Sequence, residues 1–285
     1  MRETLVALCL ITLFAVPLEA HEPTGTLKQI EKSGKIRIGF RESSPPMSFR
    51  DKEGNPAGYS VDLCKRIATG VKNKIGTYIS VEYVPVTAED RFKALANNKI
   101  DILCGATTKT LSRGELVDFT QLTFVTGASL MTVKDKKVSN LSELNGKKIG
   151  VVRNTTTIEV LKKLLKETLT DANVVPFDTS ADGFDALRKG KIDAFSADQV
   201  VLIGLVIKAQ DTDNFMIASD VFSFEPFALA VRRNDADFRL VADRVISHLY
   251  RSGQILTIFN KWVGKFYEKR PPIFTALFQL NATPE

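Results

Sequence analysis

The chain has 285 residues, of which 44% are hydrophobic, and a formal net charge of +6 at pH 7. This length fits one domain or two. A basic surface attracts anions of any kind, but the lysines and arginines form no basic stripe and do not alternate with aromatic residues, so nucleic-acid binding is not expected. His21 and His248 have no Cys, Asp or Glu at ligand spacing, so we expect neither a metal ion nor a cofactor.

The first twenty residues have the pattern of a secretory signal peptide. Arg2 precedes an apolar stretch too short to span a bilayer comfortably, and the small residue Ala20 lies where a signal peptidase would cleave. Cys9 lies inside the apolar stretch rather than at its end, so lipid attachment is not expected. We therefore expect residues 1–20 to be removed and a mature protein beginning at His21 to be exported to the periplasm.

Downstream, strand and helix patterns alternate. Strands are predicted at residues 35–40, 81–86 and 100–104, with a helix striped by apolar residues from Val61 to Val71 and a short helix at Phe92. Such alternation favours parallel sheets flanked by helices.

An internal repeat indicates two similar folding units. The pattern F-x-A-L-x-x-x-K-I-D occurs at residues 92–101 and again at 184–193, and GKIRIGFRESS at 34–44 resembles GKKIGVVRNTT at 146–156. The second unit is predicted to contain strands at 148–152 and 192–195, and between them a helix with apolar residues from Ile158 to Leu169.

Two further helices are predicted near the C-terminus, one with an apolar stripe that includes Phe238, Leu240 and Leu249, the other after Gly253. Nothing corresponds to them after the first unit, so we expect this segment to return to it. The chain would then cross between units near Thr126 and near Glu225. The predicted architecture is an α/β fold of two lobes joined by a two-strand hinge, with a cleft between the lobes. The expected divisions are 21–126 for the first lobe, 127–225 for the second, 226–266 for the return to the first, and 267–285 for an additional tail.

Polar residues cluster just after the predicted strands, where open parallel sheets bind ligands. They are Arg41 to Ser44, Ala106 to Thr108, Asn154 to Thr156, and Asp198. Arg113 offers a planar guanidinium for a carboxylate, and Asp198 offers the charge that suits an ammonium group. A carboxylate and an ammonium group together describe an α-amino acid. Two alternative interpretations stay open. In the first, Arg113 is a surface residue that pairs with Glu115 or Asp118. In the second, Thr155 and Asp198 serve only as helix caps.

Cys64 and Cys104 remain after processing and admit two interpretations. A disulfide could persist in an oxidising compartment. Both residues lie in an apolar register, however, and we favour two small, unbonded, buried side chains.

Seven motifs in order carry a resemblance to a known family: G-K-I-R-I-G-F, P-x-x-F, G-Y-S-V-D-L, K-I-D-I-L, T-x-x-R, V-D-F and K-W-x-G. Over residues 27–266 the chain resembles the extracellular solute-binding proteins, family 3, of polar amino-acid ABC transporters. This resemblance implies the two-lobe, type II periplasmic-binding-protein fold. The likeness is greatest to glutamate/aspartate-binding members, on the segments RESS, T-A-E-D-R-F and C-G-A-T-T.

The resemblance implies a role for particular residues. Arg113 and Thr108 would bind the ligand α-carboxylate with the loop of Thr155 and Thr156, and Asp198 would bind its ammonium group. In this loop Asn154 replaces the family's glycine.

The resemblance also bears on the ligand side chain. Arg41 stands where binders of basic amino acids and glutamine carry an aspartate, so Arg41 and Arg91 are implied to bind a distal carboxylate. Ser44 replaces the aromatic residue of other branches, and Ala88, Ala106 and Ser180 replace polar contacts of the acidic-ligand binders, which leaves glutamine or asparagine as an alternative ligand.

The expected function is therefore capture of L-glutamate or L-aspartate by a monomer that closes on the ligand and presents it to a membrane permease. No catalysis is expected. The rival hypothesis is an enzyme like the cyclohexadienyl dehydratases on the same scaffold, for which Glu42 and Glu89 are the candidate acids.

Overall fold

A computed structural model describes residues 23–136 and 141–285 of the chain. The predicted signal peptide, residues 1–20, lies outside the described residues. The helices of the described part are α1 (Gly25–Ser33), α2 (Tyr59–Ile75), α3 (Arg91–Ala96), α4 (Leu111–Gly114), α5 (Thr156–Glu167), α6 (Ser180–Arg188), α7 (Gln199–Ala209), α8 (Ala236–Arg251), α9 (Ile255–Trp262) and α10 (Pro272–Leu280). The strands are β1 (Lys35–Phe40), β2 (Ser43–Ser44), β3 (Ser48–Arg50), β4 (Pro56–Ala57), β5 (Ser80–Pro85), β6 (Ile102–Cys104), β7 (Val117–Thr126), β8 (Ala128–Val133), β9 (Lys148–Val152), β10 (Asn173–Phe177), β11 (Ala194–Asp198), β12 (Phe215–Ile217) and β13 (Glu225–Arg232).

Two five-stranded sheets organise the molecule. The first has the order β5-β1-β6-β13-β7, in which β1 runs parallel to β5 and β6 while β13 runs antiparallel to β6 and β7. The second has the order β10-β9-β11-β8-β12, with β9 parallel to β10 and β11 and with β8 antiparallel to β11 and β12. Each sheet with its helices is called a lobe below, so the α/β two-lobe architecture predicted from the sequence is confirmed.

The chain passes between the lobes at two adjacent places. It leaves the first sheet at Thr126 and enters the second at Ala128, and it returns at Glu225, which pairs with Thr126 in the antiparallel β13–β7 ladder. The crossings therefore lie side by side, as a hinge requires.

The repeat has a physical basis in a bond that recurs in each lobe. Asp101 accepts a hydrogen bond from the backbone N–H of Arg37 on β1 (2.8 Å), and Asp193 accepts one from the backbone N–H of Lys148 on β9 (2.9 Å). In each lobe the aspartate of K-I-D thus binds the backbone of the strand that opens the repeated pattern.

Two leucines placed in apolar stripes are not buried. Leu169 is 91% exposed because α5 ends at Glu167, and Leu169 itself has a φ of +53° beyond the helix end. Leu240 on α8 is 49% exposed. The periodicity predicted both helices correctly but extended the buried face too far.

A disulfide joins Cys64 on α2 to Cys104 at the end of β6, with Cα atoms 6.4 Å apart. The expectation of two unbonded cysteines is therefore wrong. Burial, which the apolar register indicated, is compatible with either state; what decides is that α2 packs on β6 and brings the two sulfur atoms together. The bond ties α2 to the strand that leads into the loop from Gly105 to Thr108.

The predicted tail contributes to the core of the first lobe. Phe274 on α10 is 2% exposed, and its ring centroid lies 4.8 Å from that of Phe124 on β7 and 4.9 Å from that of Phe259 on α9. Residues 272–280 therefore bury aromatic surface beside the strand that leads into the hinge.

Within residues 23–136 and 141–285, no helix has the length and apolarity to cross a bilayer. In the same residues, no three His, Cys, Asp or Glu side chains are grouped so that they could hold a metal ion.

Candidate ligand-binding site

A small cavity, about 30 Å³ in volume, lies between the two lobes. The first lobe contributes Arg41, Ser44 and Ala106 to its wall, and the second contributes Val152, Thr155, Thr157, Ser180, Ser196, Ala197, Asp198 and Val201. Six of the ten residues predicted to form the site therefore line one cavity. The other four are Arg91, Thr108, Arg113 and Thr156, which lie off its wall.

Contacts across the cleft hold the lobes together. Arg91 Nη2 donates to the carbonyl of Asn154 (3.1 Å), and Lys208 Nζ donates to the carbonyl of Arg50 (2.9 Å). These bonds join groups on opposite lobes, so the structure shows the closed arrangement.

Arg113 is carried by the short helix α4, whose first turn is capped by the hydroxyl of Thr110. Its Nη1 donates to the carbonyl of Thr108 (2.8 Å). Among the described residues Arg113 makes neither of the ion pairs considered from the sequence, with Glu115 or Asp118, and Asp118 instead pairs with Arg239. Burial lowers the pKa of Arg113, whereas Glu225 and Asp198 raise it. The guanidinium thus points to the loop that contains Thr108, and the negative charges of two nearby carboxyl groups act on it.

Arg41 follows β1 and is 7% exposed. Its side chain lies along Gly105, where an added Cβ atom would be 3.0 Å from Arg41 Cγ. Burial lowers the pKa of Arg41, against the opposing effects of Asp90 and Asp198. The glycine after β6 therefore makes room for a cation in the cavity wall.

Arg91, at the start of α3, is 3% exposed, and its Nε and Nη1 have no hydrogen-bond partner within residues 23–136 and 141–285. Its guanidinium lies 4.4 Å from the ring centroid of Phe92. Burial lowers its pKa most, and the positive charges of Arg113 and Arg41 lower it further. A buried cation with unused donors is unstable without an anion, so this arrangement favours one in the cleft.

Asp198 ends β11 and precedes α7, but its side chain makes no capping bond, so a role as helix cap alone is not supported. Its Oδ1 is buried and has no hydrogen-bond partner in the part of the chain that the structure describes. Burial, followed by the nearby charge of Glu225, raises the pKa of Asp198 to about 8, while Arg113 and Arg41 act in the opposite direction. An ammonium group would satisfy Oδ1 and stabilise the ionised form.

Thr155 and Asn154 shape the entrance to α5. Thr155 is the N-cap of this helix, accepts from the N–H of Ile158 and donates to the carbonyl of Val152 (2.7 Å), so the cap interpretation holds alongside its place in the cavity wall. Asn154, where the family has glycine, has a φ of +58°, a left-handed conformation that asparagine adopts more readily than most residues.

Glu225 is a site residue that sequence reasoning missed. It is 1% exposed at the start of β13, and its Oε2 accepts from the hydroxyls of Thr108 and Thr156, which themselves lie 3.3 Å apart. Its Oε1 accepts from Ser223 Oγ (2.8 Å). The sequence signal for this residue is an acidic side chain directly before the apolar run PFALAV. The chain pattern predicts only a crossing between the lobes at this position, and not a side chain in the site.

The two acids considered for catalysis lie elsewhere. Glu42 is exposed and pairs with Arg50, and Glu89 is exposed before α3. Neither side chain lines the cavity.

Comparison with known proteins agrees with this geometry. Residues 36–265 match the model of the bacterial extracellular solute-binding proteins, family 3. The chain belongs to this family. It is 33% identical over 262 residues to the L-glutamate/L-aspartate-binding protein of Pseudomonas aeruginosa, covering 91% of this chain and 86% of that protein.

Solved structures of family relatives share the fold. An ancestral arginine-binding protein bound to arginine superposes with a TM-score of 0.73 at 28% identity, covering 81% of this chain and 98% of that one. An ancestral amino acid-binding protein, a precursor of cyclohexadienyl dehydratase, superposes with a TM-score of 0.72 at 27% identity, covering 84% of this chain and 99% of that one. The assignments to family 3 and to the two-lobe, type II periplasmic-binding-protein fold, both made from the sequence, are confirmed.

Proposed function

We propose that this protein is the substrate-binding component of an amino-acid ABC importer and that it binds L-glutamate or L-aspartate between its lobes. One observation carries the proposal: among the described residues, the buried Nε and Nη1 of Arg91 in the first lobe and the buried Oδ1 of Asp198 in the second have no hydrogen-bond partner. A zwitterion with a second carboxylate supplies the missing partner to each.

The charges at the cleft favour an acidic ligand. Three guanidinium groups, those of Arg41, Arg91 and Arg113, share the cleft with the buried carboxyl groups of Asp198 and Glu225, which leaves one excess positive charge inside the cleft when both acids are ionised. Asp90, which also acts on Arg41 and Arg91, is exposed, so solvent screens its charge. An acidic amino acid carries a net charge of −1 and neutralises this excess. A basic ligand would add to it, and burying uncompensated charge is costly.

In this proposal each ligand group has its own partners. The α-carboxylate binds Arg113 with Thr108 and Thr156, and the ammonium group binds Asp198. The side-chain carboxylate binds Arg91 and Arg41. Ser44, Ala106, Thr155 and Ser180 form part of the remaining wall.

The ligand would contact both lobes, so only the closed state satisfies both of its ends, and binding shifts the population toward closure. The closed form would then dock on a membrane permease. We further propose that residues 1–20 direct export to the periplasm, and that the mature protein acts as a monomer with lobes divided near residues 126 and 225.

Calorimetric titration of ligand-stripped protein with glutamate, aspartate, glutamine, asparagine and arginine tests the proposal. Stripping matters because bound ligand would mask the site and stabilise the fold. We expect glutamate or aspartate to bind most tightly. Tighter binding of the amides would contradict the acidic-ligand assignment, and turnover of prephenate or arogenate would contradict the transport assignment.

Arginine variants separate the proposed contacts. Arg113→Ala should abolish binding of every amino acid, whereas Arg91→Ala should weaken glutamate at least tenfold more than glutamine. Arg66→Ala, which removes an exposed arginine on α2, is the matched control and should bind normally. Equal losses of glutamate and glutamine in Arg91→Ala would exclude Arg91 as the partner of the distal carboxylate.

A further inference from the structure

One face of α7, in the second lobe, meets the first lobe. Val201 lines the cavity, Gly204 faces Pro45 of the first lobe, and Lys208 reaches the first lobe at Arg50. Residues three and four positions apart lie on the same side of an α-helix, so these three positions form one line along α7. The line leads from the ligand cavity to the rim of the cleft, where Lys208 is exposed.

Lys208 makes two kinds of contact at this rim. Its Nζ donates to the carbonyl oxygen of Arg50 (2.9 Å), and the same atom lies 5.1 Å from the ring centroid of Phe49. An ammonium group at such a distance over an aromatic ring is attracted by the negative face of the ring. Both contacts join the second lobe to β3 of the first, and none of these three residues lines the ligand cavity.

The ring that receives Lys208 is held in place by the K-W-x-G motif, to which the proposed function assigns no role. The indole of Trp262 meets the ring of Phe49 edge to face, with ring centroids 5.7 Å apart. Trp262 Nε1 and Lys261 Nζ both donate to Oδ2 of Asp62 on α2, at 2.8 Å and 2.7 Å. Phe49 therefore packs on an anchored indole, and its ring does not have to be ordered when Lys208 arrives.

We propose that Lys208 is a positioning residue for lobe closure, which fastens the second lobe to β3 of the first and so strengthens the binding of any ligand that closes the cleft. The inference rests on the proposed function for closure around a ligand, but not for the identity of that ligand. Both contacts of Lys208 form between the lobes, so they exist only in the closed form. They stabilise every complex to the same extent, because no ligand atom takes part in them.

The test compares Lys208→Met, Lys208→Arg and the control Lys162→Met in the mature protein after ligand has been stripped. Methionine keeps the apolar stem but has neither the charge nor the donor, whereas arginine keeps both. Lys162 is an exposed lysine on α5 of the same lobe. Calorimetry measures the affinity of each variant for glutamate and for glutamine, and thermal unfolding without ligand measures its stability.

We expect Lys208→Met to weaken both ligands by the same factor, about five- to twentyfold. Lys208→Arg should restore most of the lost affinity, and Lys162→Met should bind normally. The melting temperature of the ligand-stripped protein should be the same in all of these variants, since contacts between the lobes belong to the core of neither lobe.

A double-mutant cycle isolates the contact with the ring. Phe49→Leu keeps an apolar side chain against Trp262 and should weaken both ligands less than Lys208→Met does. Adding Phe49→Leu to Lys208→Met should cost little further affinity, because the ring has then already lost its cation. Additive losses in the double variant would exclude the ring as a partner of Lys208.

Wild-type affinity in Lys208→Met would overturn the proposal. So would a loss for one of the two ligands only, which would make Lys208 a ligand contact, or a lower melting temperature without ligand, which would make it a structural residue of its own lobe. If glutamine binds more tightly than glutamate but both are weakened equally by Lys208→Met, the acidic-ligand assignment fails while the role of Lys208 in closure stands.

Discussion

Gly204→Ala should weaken ligand binding and at the same time make the ligand-free protein more stable. Gly204 lies on α7 of the second lobe, facing the loop of the first lobe that contains Pro45. A Cβ atom on residue 204 would lie 2.3 Å from the carbonyl oxygen of Pro45 and 2.5 Å from its carbonyl carbon. These are backbone atoms, so the clash cannot be relieved by rotating a side chain.

The clash exists only when the lobes are closed. Overpacking of this kind costs about 1–3 kcal/mol, which corresponds to a loss of affinity of roughly 5- to 150-fold. In the open form the same substitution replaces a glycine within a helix by alanine, which stabilises the helix by about 1 kcal/mol. Affinity and stability should therefore change in opposite directions.

Two measurements on ligand-stripped protein check this prediction. Calorimetry with glutamate gives the affinity, and thermal unfolding gives the stability. Gly114→Ala is the matched control, because an added Cβ atom there meets nothing within 4 Å. Wild-type affinity in Gly204→Ala would show that the lobes do not close on this surface, and the closed arrangement described above would not be the one that binds ligand.

Three further predictions concern pH, the disulfide and the C-terminal helix. The pKa of Asp198 is raised to about 8, so its protonated form stabilises the folded protein at low pH and this contribution is lost as the pH rises through 8. Ligand binding has the opposite trend, because an ammonium group needs the ionised form of Asp198. Affinity measured by calorimetry should therefore rise up to about tenfold per pH unit from pH 5 and level off above pH 8. A flat profile would exclude Asp198 as the ammonium partner. The Cys64–Cys104 bond closes a loop with a sequence separation of 40, so the Cys64→Ser/Cys104→Ser variant should lose about 4 kcal/mol of unfolding free energy in urea, and a loss under about 1 kcal/mol would refute this. Phe274→Ala should lower the same free energy by about 3–5 kcal/mol because the ring is buried against Phe124; an unchanged value would show that the tail does not belong to the core.

The sequence was sufficient for the architecture because its signals are local and repeated. Asp101 and Asp193 recur in the same pattern and make the same bond, to the backbone of β1 in the first lobe and of β9 in the second, so the repeat reflects a shared physical requirement. Arg41 and Asp198 could be placed because each lies at the carboxyl end of a parallel strand of its own sheet, and both of these ends face the cleft.

The two principal misses depend on contacts that no local pattern contains. Cys64 and Cys104 occupy apolar positions that suit free or bonded cysteines equally, and the packing of α2 on β6 decides between them. Glu225 joins the site only because the second crossing passes between Thr108 and Thr156 when the lobes are closed. A one-dimensional pattern predicts the crossing, but not which side chain the closed cleft will enclose.

The distribution of charge between the lobes implies an order of events in the proposed function. Arg41, Arg91 and Arg113 all belong to the first lobe, where the positive charges of Arg113 and Arg41 lower the pKa of Arg91. The first lobe alone therefore attracts a dicarboxylate, and the ligand's negative charge relieves the repulsion among the guanidinium groups before closure. Asp198 comes from the second lobe and is held protonated by burial and by Glu225, so it becomes a good partner only for a ligand that brings an ammonium group. A dicarboxylate without an amino group should thus bind the first lobe yet fail to stabilise closure, and in this scheme the second lobe distinguishes an amino acid from other anions.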